Sequence, residues 1–294
     1  MTNLLLLTGF MVTGGFALLL PQYAVMLFAV LAFVFGIPHG ALDLWIMRRL
    51  WHTSLKTWLL SGIAYVILAG AVLIGFYTFP TAMLLVFLAY SAFHFGMDYY
   101  PEEAVNTSLI ASLHACLCGA GLIAFPALFY GREVLELFLL ITNREGALKV
   151  SASLHALAIL LIPVFPYLLW KQSPSKRKEL LLAVGGALIA PPIAFLTIYF
   201  VGIHSRNHFL LLYKKMGYQS PVAFVKAVIP MTLLSYLIAA GIFLSLIPEL
   251  SFQDKAFASA IYTLAALALP HLVVVECLKR HGIRTALSTC TPHP

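Results

Sequence analysis

TWLLSGIAYVILAGAVLIGFY, residues 57–77, runs for twenty-one positions without a charged side chain. At about 1.5 Å per residue such a helix is ~30 Å long, the thickness of the hydrocarbon core of a bilayer. Lipid offers no partner to a bare amide, so only helices and closed barrels cross it. A barrel strand alternates apolar and polar residues, and this stretch does not. Residues 57–77 therefore predict a membrane-crossing helix, and the rest of the chain can be read against it.

Comparable spans lie near 4–20, 22–38, 80–97, 107–126 and 148–170, followed by a long segment 178–216 and spans near 222–247 and 256–278. A shorter piece around 133–141 reads as an interfacial or loop helix. Of the 294 residues, 62% are hydrophobic and 10% are charged, against about 25% charged in ordinary soluble domains. No polar stretch is long enough to form a soluble domain, so the expectation is one integral membrane domain covering 1–294. The fold class expected is all-α, a polytopic transmembrane bundle of about 8–10 helices. The first residues, MTNLLLLTGF, lack a basic leader and a small-residue cleavage site, and read as a first transmembrane helix. The cysteines Cys116, Cys118, Cys277 and Cys290 form no CxxC pair and suggest neither a zinc site nor a disulfide framework.

A net charge of +7 in a soluble protein would suggest nucleic acid. Here the basic residues sit in short loops at 48–56, 171–178, 214–215 and 279–284. That pattern is the positive-inside bias of a membrane protein, so no nucleic-acid partner is expected and these loops face the cytoplasm. The membrane is then the cell inner (plasma) membrane, crossed many times. Agreement among the four loops, with the N terminus on the same side, requires 178–216 to cross twice, with a turn at Pro191-Pro192. Consecutive prolines remove two amide donors and fit such a break.

Against this apolar background five histidines stand out: His39 in FGIPHGALD, His94 in SAFHFGMD, His204 and His208 in GIHSRNHF, and His271 in LALPHLVVVE. An ionisable side chain inside a membrane span marks a functional site, because hydrocarbon gives it no partner. With the topology above, four apolar segments bring these imidazoles to one side of the bilayer. His204 and His208 are four residues apart and share a helical face. Asp43 follows His39 by four residues and Asp98 follows His94 by four, the spacing at which a carboxylate orients a metal-bound imidazole. A lone histidine at a helix end is more often bonded to a carbonyl than to a metal, which weighs most against His271. His114 and His155, without acidic companions, read as structural. A cluster of imidazoles suits zinc, copper, iron or nickel and leaves that choice open.

The stretches GIPHGALD, SAFHFG, HSRNH and the late LPH resemble, in order and spacing through nearly the whole chain, those of the bacterio-opsin-related Brp/Blh family. Its members are membrane-bound β-carotene 15,15′-dioxygenases. The resemblance implies cleavage of the central double bond of β-carotene by O2, using non-haem Fe(2+), to give two molecules of all-trans-retinal. It assigns the iron-ligand role to His39, His94, His204 and His208. Asp43, Asp98 and His271 are left as candidate residues behind the ligands, with nothing catalytic beyond the ligands themselves. It further implies an apolar tunnel for the carotenoid, and a rhodopsin as the recipient of the retinal. Two other classes remain open from the residues alone. One is a histidine-lined transporter of metal ions or protons; the other is a non-catalytic factor for opsin assembly. A membrane di-iron oxygenase is disfavoured, because it needs eight or more histidines in boxes that this chain lacks.

Overall fold

The protein is described from a computed structural model, covering residues 15, 19–40, 42–50, 54–100, 108–215, 217–218, 220–246 and 249–289. The side chains at 21–22, 39, 44–45, 49–50, 215 and 276–289 fall outside the described residues, as does nearly all of the span expected at 4–20. Every element among the described residues is helical.

In chain order, α1 covers residues 21–40, as α-helix Pro21–Leu31, a wide π-helical segment Ala32–Gly36 and a last turn Ile37–Gly40. Next are α2 (Asp43–Leu50), α3 (Leu55–Thr78) and α4 (Pro80–Gly96), which tightens into a 3-10 turn over Met97–Tyr99. Then come α5 (Leu109–Ala124), α6 (Pro126–Phe129), α7 (Gly131–Leu139), α8 (Arg144–Leu161), α9 (Phe165–Trp170) and α10 (Pro174–Ile189). Residues 192–215 form α11, built from Pro192–Leu196, a second π-helical segment Thr197–Ser205, and Arg206–Lys215. The chain closes with α12 (Pro221–Ser245) and α13 (Phe252–Thr289).

The starts follow local chemistry. Proline opens α4, α10 and α12, where its missing amide proton would have no partner in any case. Side-chain oxygens of Ser54, Ser108 and Asn143 accept the amide protons of Thr57, Ala111 and Gly146, satisfying donors that each first turn leaves orphaned.

Among the described residues five helices are long and apolar enough to cross a bilayer: Leu55–Thr78, Pro80–Tyr99, Leu109–Phe129, Pro221–Ser245 and Phe252–Val275. The other expected spans that lie within the described residues are shorter or interrupted. The span at 148–170 divides into α8 and α9, and 178–216 breaks at Ala190-Pro191 into α10 and α11. That break falls where the paired prolines predict it. Leu59, Ile63, Val66, Ile67 and Ile74 of α3 are exposed, an apolar face of the kind that only lipid tolerates.

In its most apolar window α13 is 78% buried, whereas α3 is 17% buried. Helix α13 is thus the central post, packed by α1, α3 and α12. Helices α4 and α5 make the closest pair. A methyl at Gly96 would collide with the backbone carbonyl of Ala115, and one at Gly119 with the carbonyl of Ala92. Small residues let the two backbones touch, the device that replaces hydrophobic driving force between helices in lipid.

Helix directions follow from a few contacts. At one end, Lys176 near the start of α10 lies over the ring of Tyr99, 5.8 Å from its centroid. At the other, the Tyr130 hydroxyl donates to the Ile189 carbonyl at the end of α10, 2.8 Å away. Thr81 at the start of α4 meets Thr142 at 2.8 Å. Helix α10 therefore runs away from the Tyr99 level and α11 returns to it. Helices α4, α11 and α13 all carry their histidines toward that same end.

Candidate metal centre

The described imidazoles form one layer. Ring centroids of His94 and His204 lie 4.7 Å apart, His94 and His271 5.3 Å, and His208 and His271 4.9 Å. Three helices supply these rings: α4, α11 and α13. The π-helical turn over Thr197–Ser205 delivers His204, and Phe200 within it stacks on the His204 ring at 17°. The other π-helical segment ends at Gly36, against whose missing side chain the Phe200 ring packs. Both wide turns thus meet at the level of the histidines. His39 lies two residues beyond Ile37 on α1, and its side chain is outside the described residues.

Two carboxylates stand behind the layer. Nδ1 of His204 donates to Oδ2 of Asp98 at 2.8 Å, and Nδ1 of His271 donates to Oδ1 of Asp43 at 2.8 Å. His271 and Asp43 are 2% and 1% exposed, so this pair is fully withdrawn from solvent. The second oxygen of Asp43 accepts the Tyr65 hydroxyl at 2.9 Å. Tyr65 also lies 3.3 Å from the carbonyl of Leu267, tying α3 to α13 behind the site. With the proton held on Nδ1 by a carboxylate, Nε2 of His204 and of His271 carries the lone pair. Those Nε2 atoms are buried.

The pairing differs from the one the HxxxD spacing predicts. Asp98 takes His204 and Asp43 takes His271, each on another helix. The i,i+4 rule requires a continuous α-helix, and neither motif lies on one. Helix α1 ends at Gly40 and Asp43 opens α2; Asp98 lies in the 3-10 turn that follows Gly96. His271, read from the sequence as a candidate residue behind the ligands, has its ring within the layer. Tyr65 had no motif to reveal it. Its signal was a hydroxyl in the middle of the 57–77 span, where a lone polar group needs a buried acceptor.

The donor set suits a divalent metal. Imidazoles sharing one ion through nitrogens at ~2.1 Å place neighbouring ring centroids ~4.5–5.2 Å apart, close to the 4.7–5.3 Å spacing here. A doubly charged ion among neutral imidazoles would be balanced by Asp43 and Asp98, which relieves the cost of burying either carboxylate alone. Among the described residues no three His, Cys, Asp or Glu side chains are closed around a common ion position.

On the inner side the layer opens into an apolar cavity that is in part continuous with the surroundings. His94, His204 and His271 stand at one end, and Gly36, Ile37 and Gly40 bring the His39 stretch of α1 to its wall. From there leucines, phenylalanines and isoleucines line it down to Leu84 and Phe257. Such a space takes a long hydrocarbon and offers it few polar partners. Of the histidines read as structural, His155 donates Nδ1 to the Ala127 carbonyl at 2.9 Å, away from the layer, and His114 packs on Tyr167.

No solved structure matches this chain. A curated relative from an uncultured marine bacterium (66A03), named beta-carotene 15,15'-dioxygenase, is 28% identical over 252 residues, covering 83% of this chain and 90% of the relative. Residues 30–279, a stretch that holds all five histidines and both aspartates, match the family profile described as Beta-carotene 15,15'-dioxygenase. With most of its length so matched, the chain belongs to the β-carotene 15,15′-dioxygenase family.

Proposed function

We propose that this protein cleaves the central 15,15′ double bond of β-carotene with O2, using one ferrous ion held by His39, His94, His204 and His208. The observation that carries the reading is a layer of imidazoles, backed by carboxylates, at the end of an apolar cavity inside a membrane helix bundle. The bond breaks, each of its two carbons receives one oxygen atom of the consumed O2, and two molecules of all-trans-retinal result. Bound iron supplies the activation of dioxygen, which no side chain here can perform. The chain's own residues orient and exclude. Asp98 and Asp43 hold His204 and His271 in one tautomer, and Tyr65 fixes Asp43. Phe95 and Phe200 shield the rings, with Phe95 5.0 Å from His204. The apolar wall holds the polyene and keeps water from the reacting carbons. On this reading His271 faces the same ion from α13, and Asp43 and Asp98 neutralise its charge.

The same reading places the protein in the plasma (inner) membrane, with an opsin as the consumer of its retinal. A transporter of ions would need a polar path along its cavity, and this one is apolar beyond the histidine layer. The test is metal analysis and product chromatography on detergent-purified protein supplied with Fe(II), β-carotene and air. One iron per chain and retinal as product support the reading. Intact β-carotene with fully iron-loaded protein overturns it.

A further inference from the structure

A short helix lies at the end of the cavity opposite the histidines, at the level where α4 begins. Val134, Leu137, Phe138 and Ile141 all line the cavity. Their spacing of i, i+3, i+4 and i+7 is one face of a helix, here α7 and the turn after it. The opposite face carries Arg132, Glu133 and Glu136, with Arg132 paired to Glu136 at 2.9 Å in an exposed position. Three further contacts pin this amphipathic segment across the end of the bundle. The Tyr262 hydroxyl donates to the Ile141 carbonyl at 3.0 Å. Thr142 meets Thr81 of α4 at 2.8 Å, and Asn143 caps α8 directly after it. The floor is therefore fastened to α4 and α13, two of the helices that carry histidines.

A floor fixed to the same helices as the layer fixes the depth between them. Along α4 the lining runs from Leu84 to His94, and along α13 from Phe257 to His271. At 1.5 Å per residue these are ~15 Å and ~21 Å. An extended chain advances ~1.2 Å per bond, so the roughly nine bonds between the ring of β-carotene and its central double bond, plus the ring itself, occupy roughly 15 Å. One half of the symmetrical substrate is thus about as long as the lining along α4, a match that would set its central bond at the layer.

We infer that α7 is a depth stop: Val134, Leu137 and Phe138 abut the terminal ring of the carotenoid and thereby select which double bond is cut. The inference rests on the proposed carotenoid cleavage and adds the residues that make it central. The test compares products of full-length, iron-loaded wild type with Val134→Trp, which raises the floor, and with Leu137→Ala and Phe138→Ala, which lower it. Because β-carotene is symmetrical, a floor moved in either direction presents a neighbouring double bond. The expected result is an unequal pair of carbonyl products, one shorter and one longer than retinal, rising from a trace to at least a tenfold larger share. Iron content should stay at the wild-type level, because α7 is remote from the histidines. If Val134→Trp simply blocks entry or folding, the two alanine variants decide. Retinal as sole product from both of them, at the wild-type rate, overturns the inference. Wild-type protein that leaves β-carotene intact sinks the cleavage reading itself, and that result is seen in the parallel wild-type sample.

Discussion

Asp43 and His271, 228 positions apart in the chain, share a buried 2.8 Å hydrogen bond. It joins the start of α2 to the middle of α13, and Tyr65 completes the connection from α3. A carboxylate so enclosed has no water to fall back on, and its worth depends on what its imidazole does.

Asp43→Asn keeps the shape and removes the charge. Loss of a carboxylate behind a metal-bound histidine lowers affinity or activity by about 10- to 100-fold, and this is expected for both iron retention and turnover. Tyr65→Phe removes one hydrogen bond and should cost only about 1 kcal/mol of stability, with iron retained. Equal iron loss in both variants would mean that Tyr65 acts on the metal site as directly as Asp43 does.

Replacing His39, His94, His204 or His208 singly by alanine should abolish retinal formation and lower bound iron, while far-ultraviolet circular dichroism stays helical. Full iron occupancy in two or more of the four variants would remove the ligand assignment. The same series extended to His271→Ala asks whether the α13 imidazole behaves like the others, and comparable iron loss is the expected result.

Gly119→Ala and Gly96→Ala put a methyl where a backbone carbonyl already lies. A backbone cannot rotate away as a side chain can, so each should destabilise the detergent-solubilised protein by about 2 kcal/mol or more. Thermal melts read this directly. Unchanged melting for both variants would show that α4 and α5 are less closely apposed than described.

A reporter active on only one side of the membrane, fused after residue 175 and separately after residue 217, should give the same signal at both points. Helices α10 and α11 run in opposite senses between the two fusion sites, and the positive-inside bias of the basic loops predicts that both sites face the cytoplasm. Opposite signals would mean that only one of these helices crosses.

The helical membrane architecture could be read from the spans at 57–77, 80–97 and 222–247, because unbroken apolarity over ~20 residues has few other solutions. The histidines were equally legible, since apolar surroundings make a polar ring conspicuous. What the residues hid was the pairing of acid with base. HxxxD promises a shared face only where the helix continues unchanged, and Gly40 and Gly96 are where these two helices stop or tighten. Contacts such as Asp43 with His271 depend on how distant helices pack, which no local spacing encodes. The floor was visible only as a short amphipathic piece near 133–141, and its role required knowing that its apolar face meets the cavity.

The two wide π-helical segments, Ala32–Gly36 and Thr197–Ser205, carry a different constraint. Each accommodates more residues per turn than its neighbours do. Deleting one residue from 197–205 would either re-aim His204 and His208 relative to Pro192–Leu196 or relax the segment to α geometry and withdraw the widening that brings Phe200 against Gly36. A substitution there changes one side chain, whereas a deletion forces the backbone into one of those two losses. Insertions and deletions tolerated in the loops should therefore be absent from 32–36 and 197–205 among related sequences, where the number of residues is itself under selection.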